Sequence, residues 1–123
     1  MNKYNFKKYE GNFPRGGIKI SINRPGVLRL SSAFCNTTNI TKYEYAELFY
    51  DESNNAIAIH PTHEFYKGVA RITKDKKAAA ISINLFMRAN KLDINDYAGR
   101  YDFIRQILEG IGEVFIIELK NKK

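Results

Sequence analysis

The chain of 123 residues has no tryptophan and a single cysteine, Cys35. A lone cysteine cannot form an internal disulfide, which indicates a reducing compartment or indifference to redox state. No apolar run reaches the roughly 18 residues of a membrane-spanning helix, and the N-terminus lacks the apolar block of a signal peptide. These absences predict a cytoplasmic protein without a membrane span.

Catalytic and metal-binding motifs are absent as well. The sequence has no glycine-rich phosphate loop, no serine or cysteine nucleophile elbow and no set of cysteine ligands. His60, His63 and Glu64 lie close together, but they do not form the His-Glu-x-x-His pattern, and Pro61 disfavours a helix beginning at His60. We therefore predict that the chain is not an enzyme and binds no metal or cofactor.

The net charge of +7 is distributed in blocks. Residues 1–43 contain eight Lys or Arg and one acidic residue, whereas residues 44–64 contain five acidic residues and no Lys or Arg. Residues 65–91 contain seven basic residues and one acidic residue, and residues 92–123 are nearly balanced. Solvated faces of both signs are ordinary in soluble proteins, but this segregation favours two basic surfaces able to bind a polyanion.

The clearest structural pattern begins at Ile18. Ile18, Ile20 and Ile22 alternate with polar residues, which predicts a strand with one buried face. The Pro-Gly pair in residues 23–26 predicts a type II turn with a positive φ at the glycine. Residues 27–30 are then the returning arm of a hairpin.

A short helix and a second hairpin are predicted next. Ser31 and Ser32 form a plausible N-cap pair for a helix over residues 33–37, with Phe34 facing inward. Alternation then returns in residues 46–50, followed by a turn rich in Asp, Ser and Asn and by a further strand. The predicted order is strand, turn, strand, helix, strand, turn, strand.

From residue 69 onward the same order of elements recurs. Strands are predicted over residues 69–73 and 78–83, with a charged turn over 74–77 and a helix over 84–90 capped by Asn84. A shift of 52 residues superposes Phe34 on Phe86, Ile40 on Leu92 and Tyr45 on Tyr97. After one inserted residue, Tyr101 and Phe103 take the strand positions of Leu48 and Tyr50. A helical turn is placed within 105–111, and a buried strand over 114–119. We interpret this recurrence as an internal duplication.

The first copy resembles the AbrB-like, or swapped-hairpin, DNA-binding domains. The family's opening strand and glycine-containing turn correspond to residues 18–26, its next strand to 27–30, its short helix to 31–38, and its acidic turn and closing strand to 44–50. The family commonly has proline at the position of Ser31 and basic residues at the positions of Val27, Cys35 and Asn36, where this chain departs from the pattern.

The resemblance implies a mainly β fold made of two swapped-hairpin halves. Residues 1–17 are then a basic, aromatic N-terminal arm, 18–61 the first half, 62–68 a connector and 69–123 the second half. Two copies of such a hairpin complete one core in this family. We therefore expect a monomeric pseudo-dimer, with a homodimer as the alternative.

The sequence leads to three hypotheses about function. The first is a transcription regulator that contacts duplex DNA through the two basic blocks, using Lys19, Arg24, Arg29, Arg71, Lys74, Lys76, Lys77 and Arg88. Arg88 is the residue that falls near the family's helix arginines. The second is a viral or mobile-element module that binds and inhibits a host protein, which the missing family arginines support. The third is binding of single strands or RNA through the aromatic, lysine-rich N-terminus.

Overall fold

Strands dominate the structure, as the alternation of branched apolar and polar residues predicts. The computed structural model describes residues 18–119. In chain order the elements are β1 (Ile20–Asn23), β2 (Val27–Leu30), α1 (Ser32–Thr38), a 3-10 helix (Ile40–Lys42), β3 (Tyr45–Asp51), β4 (Ala56–Thr62), β5 (Ala70–Asp75), β6 (Ala78–Ser82), α2 (Asn84–Ala89), α3 (Ile94–Tyr97), β7 (Gly99–Tyr101), β8 (Ile104–Leu108) and β9 (Gly112–Glu118). The prediction of a mainly β protein with short helices is confirmed. The predicted N-terminal arm, residues 1–17, lies outside the described residues.

The strands form one curled antiparallel sheet in the order β7-β1-β2-β6-β5-β3-β4-β9-β8. Its two end strands, β7 and β8, follow each other in the chain and are joined only by Asp102 and Phe103. Since such a short link spans at most about 11 Å between Cα atoms, the two ends of the sheet must lie close together. We call this place, where β7 gives way to β8, the seam.

The core lies on the inner face of the curled sheet. The ring of Phe34 from α1 packs edge-on against Phe103 at 4.7 Å and against Phe115 at 5.3 Å between centroids. Alternate strand residues such as Ile20, Ile81 and Ile117 are buried around it in one contiguous cluster. Within residues 18–119, no helix is both long and apolar enough to cross a membrane.

Pairing between strands repeatedly joins the first part of the chain to the second. β2 pairs with β6 from Val27 opposite Ser82 to Leu30 opposite Ala79. The two paired segments, 27–30 and 79–82, are also 52 residues apart in the chain, which is the shift found in the sequence. β1 pairs with β7, and in the same way β5 pairs with β3. Both parts begin with strand, strand and helix, but three strands (β7, β8 and β9) follow the helices of the second part, whereas two (β3 and β4) follow those of the first. The internal duplication stays a prediction.

The local predictions for the first hairpin and α1 are largely confirmed. Ser31 is the N-cap of α1, and its Oγ accepts a hydrogen bond from the Phe34 backbone N–H at 3.1 Å. Gly26 has the predicted positive φ, at 147°. The type II turn is wrong, because the φ of Gly26 is far from the roughly +80° of that turn.

Four details of the second part differ from the prediction. Lys74 lies within β5, which leaves only Lys76 and Lys77 in the turn. The cap of α2 is not Asn84: the N-cap position is Ile83, which makes no side-chain capping bond. The predicted helical turn within residues 105–111 is wrong, because residues 105–108 belong to β8, which pairs with β9, and residues 109–111 form the turn between these strands. Helix α3 was not predicted.

Candidate nucleic-acid interface

Arginine side chains are placed on the outer face of the sheet by simple alternation. In β2, Leu28 and Leu30 are buried, so Arg29 between them points away from the core and is exposed. The register sets Arg29 opposite Ser21 on β1 and Ala80 on β6. Because both neighbours are small, the guanidinium group remains accessible on this face.

Arg71 lies on the same face, on β5, where its neighbour Ile72 is buried. Its guanidinium carbon lies 5.7 Å from the centre of the Tyr45 ring, the residue paired with it on β3. This contact supports the side chain while leaving the residue exposed. Asp75 lies four residues further along the same strand, so it adds a negative charge to the face that carries Arg71.

Lys76 and Lys77 lie together in the β5–β6 turn, beside α1. With Ser32, Asn36, Asn39 and Thr41 they line a groove of about 520 Å³. Among residues 18–119, none that lines this groove is acidic. Ammonium groups beside hydroxyl and amide groups are a suitable environment for phosphate oxygens. We call this region the α1 end.

Arg24 and Arg88 lie at the opposite end of the same strands. The β1–β2 turn containing Arg24 contacts the start of α2, because the Ile83 backbone N–H donates to the Gly26 carbonyl at 2.9 Å. Arg88 follows Asn84 by four residues and is therefore on the same side of α2. We call this region the α2 end. The five residues of β6 and Ile83 separate Lys77 from the start of α2, a distance of about 20 Å at strand spacing.

Lys19 and Lys74 already have carboxylate partners. Lys19 Nζ contacts the Asp102 carboxylate, and Lys74 Nζ lies 3.8 Å from Glu44 Oε2. All four side chains are at least one-third exposed. Exposed pairs of this kind contribute about 0–1 kcal/mol, so a phosphate can compete with the carboxylates. The structure therefore places two of the eight predicted residues, Arg29 and Arg71, on the outer face of the sheet. The other six lie in pairs at the α1 end, at the α2 end and in the two ion pairs.

Arg100 is a site residue that the sequence interpretation missed. It lies on β7 opposite Ser21, so Arg100, Ser21 and Arg29 form one row across three strands. The two arginines are two strands apart, about 10 Å. The predicted strand position of Tyr101 implied that Arg100 alternates to the outer face, and this signal could have found it.

The residues that could suggest other chemistry are dispersed. Cys35 is buried, its Sγ lies 3.7 Å from the Leu30 carbonyl oxygen, and burial raises the pKa of its thiol, which disfavours the nucleophilic thiolate. His60 Nδ1 lies 3.0 Å from the Glu113 carbonyl oxygen, whereas His63 stacks on Tyr43. Among the described residues, no group of three or more His, Cys, Asp or Glu side chains is suited to hold a metal.

Comparison of the chain with models of known protein families, with curated proteins and with solved structures found no match. The placement of its own residues is therefore the basis for any statement about function.

Proposed function

We propose that this chain is a transcription regulator that binds duplex DNA. The observation that carries the proposal is the position of the two ends: Lys76 and Lys77 lie at one end of the β2–β6 ladder and the Arg24 turn at the other. Arg29 lies on β2 between them. A polyanion laid across the outer face would meet positive charge at three successive places.

The spacing of these charges suits a duplex. The major groove of B-DNA is about 12 Å wide and is bordered on each side by a phosphate backbone. Two basic ends separated by about 20 Å along the strands can each meet one border of a groove. In this arrangement the lysines hold phosphates, while Arg88 on α2 is the candidate for a base-edge contact.

The strand pairing supports a swapped-hairpin arrangement within one chain. The β2–β6 ladder joins the two parts of the chain, and the β1–β7 and β3–β5 pairings cross between them in the same manner. Both partners of the expected pair would then be supplied by one chain. We accordingly propose that the protein is monomeric, to be checked by measuring its mass in solution. Its single cysteine suits a reducing compartment, and we propose that it acts in the cytoplasm.

The test of DNA binding is a titration of duplex probes at several salt concentrations. Lys76→Ala combined with Lys77→Ala should weaken binding to all sequences. If each lysine neutralises one phosphate, the plot of log affinity against log salt should become shallower by about 1.8, at about 0.9 per phosphate. The control is Lys67→Ala with Arg105→Ala, which removes the same charge from the connector and from β8 and should leave the slope nearly unchanged.

Arg88→Ala tests sequence readout separately. If Arg88 reaches a base edge, its loss should reduce discrimination between preferred and other sequences by about 1–3 kcal/mol, with little change in binding to unrelated duplexes. Absence of any duplex shift at low salt and tens of micromolar protein, where nonspecific binding is normally visible, contradicts the DNA proposal.

A second candidate function is capture of a protein partner. The observation that favours it is strand β8, which ends the sheet and has Ile104 48% exposed and Ile107 77% exposed. An exposed apolar end strand can pair with a strand of another protein. Failure of the DNA titration, with a folded protein, would favour this function.

A further inference from the structure

An apolar trough crosses the outer face of the sheet on strands β3, β4, β9 and β8. Phe49 on β3, Ala58 on β4, Ile116 on β9 and Ile104 on β8 form one row in register. The small side chains of Ala56 and Ala58 lower the floor between Phe49 and β8, and the trough has a volume of about 360 Å³. Its charged lining residues are Asp51 and Glu118, both acidic.

The trough continues to the place where the described chain begins. A neighbouring hollow of about 300 Å³ shares Ile104, Ile116 and Glu118 with the trough and extends across the seam to Lys19. Asp102, the partner of Lys19, and Arg100 also line this hollow. Together the two form one continuous seam groove, whose mouth is next to Ile18.

The segment that precedes Ile18 has the complementary chemistry. Residues 1–17 include four aromatic residues, Tyr4, Phe6, Tyr9 and Phe13. They also contain four Lys or Arg against one glutamate. Aromatic rings suit a trough floored by alanines, and the adjacent cations suit the carboxylates of Asp51 and Glu118.

Length and tethering permit the segment to occupy the groove. Seventeen residues can extend at most roughly 55 Å, whereas the trough lies about three strand spacings, roughly 15 Å, beyond the seam. A segment attached at the mouth is present at a high effective concentration, which a second copy of the chain matches only at high protein concentration.

We propose that residues 1–17 bind in the seam groove, with aromatic side chains over Ala58 and basic side chains beside Asp51 and Glu118. The groove is then an internal docking site for a basic aromatic segment. The proposal does not depend on DNA binding, and it is tested without nucleic acid.

The absence of tryptophan makes a direct test possible, because one introduced tryptophan is the only indole in the protein. Tyr4, Phe6, Tyr9 and Phe13 are replaced by Trp one at a time in the full chain. At least one of these variants should emit at shorter wavelength than the same chain in denaturant, and iodide should quench it several-fold less. Ala58→Arg, which fills the trough with a like charge, should remove both effects.

The control is Ala78→Arg, an equivalent change at a half-buried alanine on β6, far along the chain from the trough and paired with Asp75. It should leave emission and quenching unchanged. Glu118→Lys, on the exposed side of β9, reverses a charge without filling the trough. It serves if circular dichroism shows that Ala58→Arg does not fold. The proposal is overturned if iodide quenches all four tryptophans as freely as in denaturant. It is also overturned if their protection from iodide is unchanged by both groove substitutions, or if that protection rises with protein concentration.

Discussion

Helices α1 and α2 follow the same backbone plan with different side chains. Cys35 in α1 corresponds to Met87 in α2, 52 positions further along the chain. Both residues are buried, and each donates its backbone N–H to the carbonyl four residues earlier. In each, the chain leaves through a left-handed residue, Asn39 at φ 59° or Lys91 at φ 60°. The two regions differ in how the helix begins and in how deeply its phenylalanine is buried.

The difference shows how burial and capping can substitute for each other. Ser31 is exposed and caps α1, whereas Ile83 at the equivalent position is fully buried and cannot cap. Burying an isoleucine side chain contributes about 1.5–3 kcal/mol, and a polar cap about 1 kcal/mol. The apolar choice therefore gains more than it loses at α2, and the same helix position can be specified by either kind of residue.

The largest expected difference between the two regions concerns their phenylalanines. Phe34 is fully buried against Phe103 and Phe115, whereas Phe86 is only partly buried. Phe34→Ala should lower the free energy of unfolding by about 3–5 kcal/mol, and Phe86→Ala by less than half as much. Urea denaturation of both variants measures this.

Equal losses would contradict the comparison, because they would mean that the α2 region is packed as tightly as the α1 region. A loss of this size approaches the whole stability of a small domain, about 5–15 kcal/mol. If Phe34→Ala does not fold, Phe34→Leu and Phe86→Leu provide the milder pair and should keep the same order.

The sequence was sufficient for elements whose pattern is local. Alternation around Ile20 and Ile22 and the cap at Ser31 depend on near neighbours, and the structure confirms them. Ile104, Ile107 and Leu108 of β8 recur at helical spacing, so simple alternation does not mark this strand. Hydrogen bonding to β9 decides the conformation of this segment, and that partner follows it across a turn whose register the sequence alone did not define.

A second expected effect concerns the contact between the first hairpin turn and α2. An added Cβ at Gly26 would lie 2.9 Å from the Asn84 Cβ, and φ at Gly26 is +147°. Gly26→Ala should therefore destabilise the protein by at least about 1 kcal/mol, since both the backbone and the neighbouring helix must shift.

The matched control is Gly110→Ala in the β8–β9 turn, where φ is +81° and an added Cβ would meet no atom within 4 Å. It retains the backbone strain without the collision and should cost less. Equal melting temperatures for the two variants would show that Asn84 moves aside easily and that the turn is not held against α2.

The candidate interface was only partly predictable. Exposure of Lys76, Lys77 and Arg88 follows from their places in a turn and a short helix. The ion pair between Lys19 and Asp102 joins residues far apart in the chain, and the row shared by Arg29 and Arg100 depends on cross-strand register. Such groupings are properties of the folded sheet, so a list of basic residues could not contain them.

The smallest expected effect concerns the two residues with left-handed backbone conformation, Asn39 after α1 and Lys91 after α2. A Cβ in this conformation costs about 1–2 kcal/mol for most residues, although asparagine tolerates it. Glycine removes that cost but loses about 0.5–1 kcal/mol through its greater freedom in the unfolded chain. Lys91→Gly should therefore stabilise the protein by about 0.5 kcal/mol, whereas Asn39→Gly should change its stability little. Lys91→Ala removes the same charge but keeps the Cβ, and urea denaturation measures the free energy of unfolding of each variant. If Lys91→Ala stabilises the protein as much as Lys91→Gly does, the effect comes from charge, and this distinction between the two regions disappears.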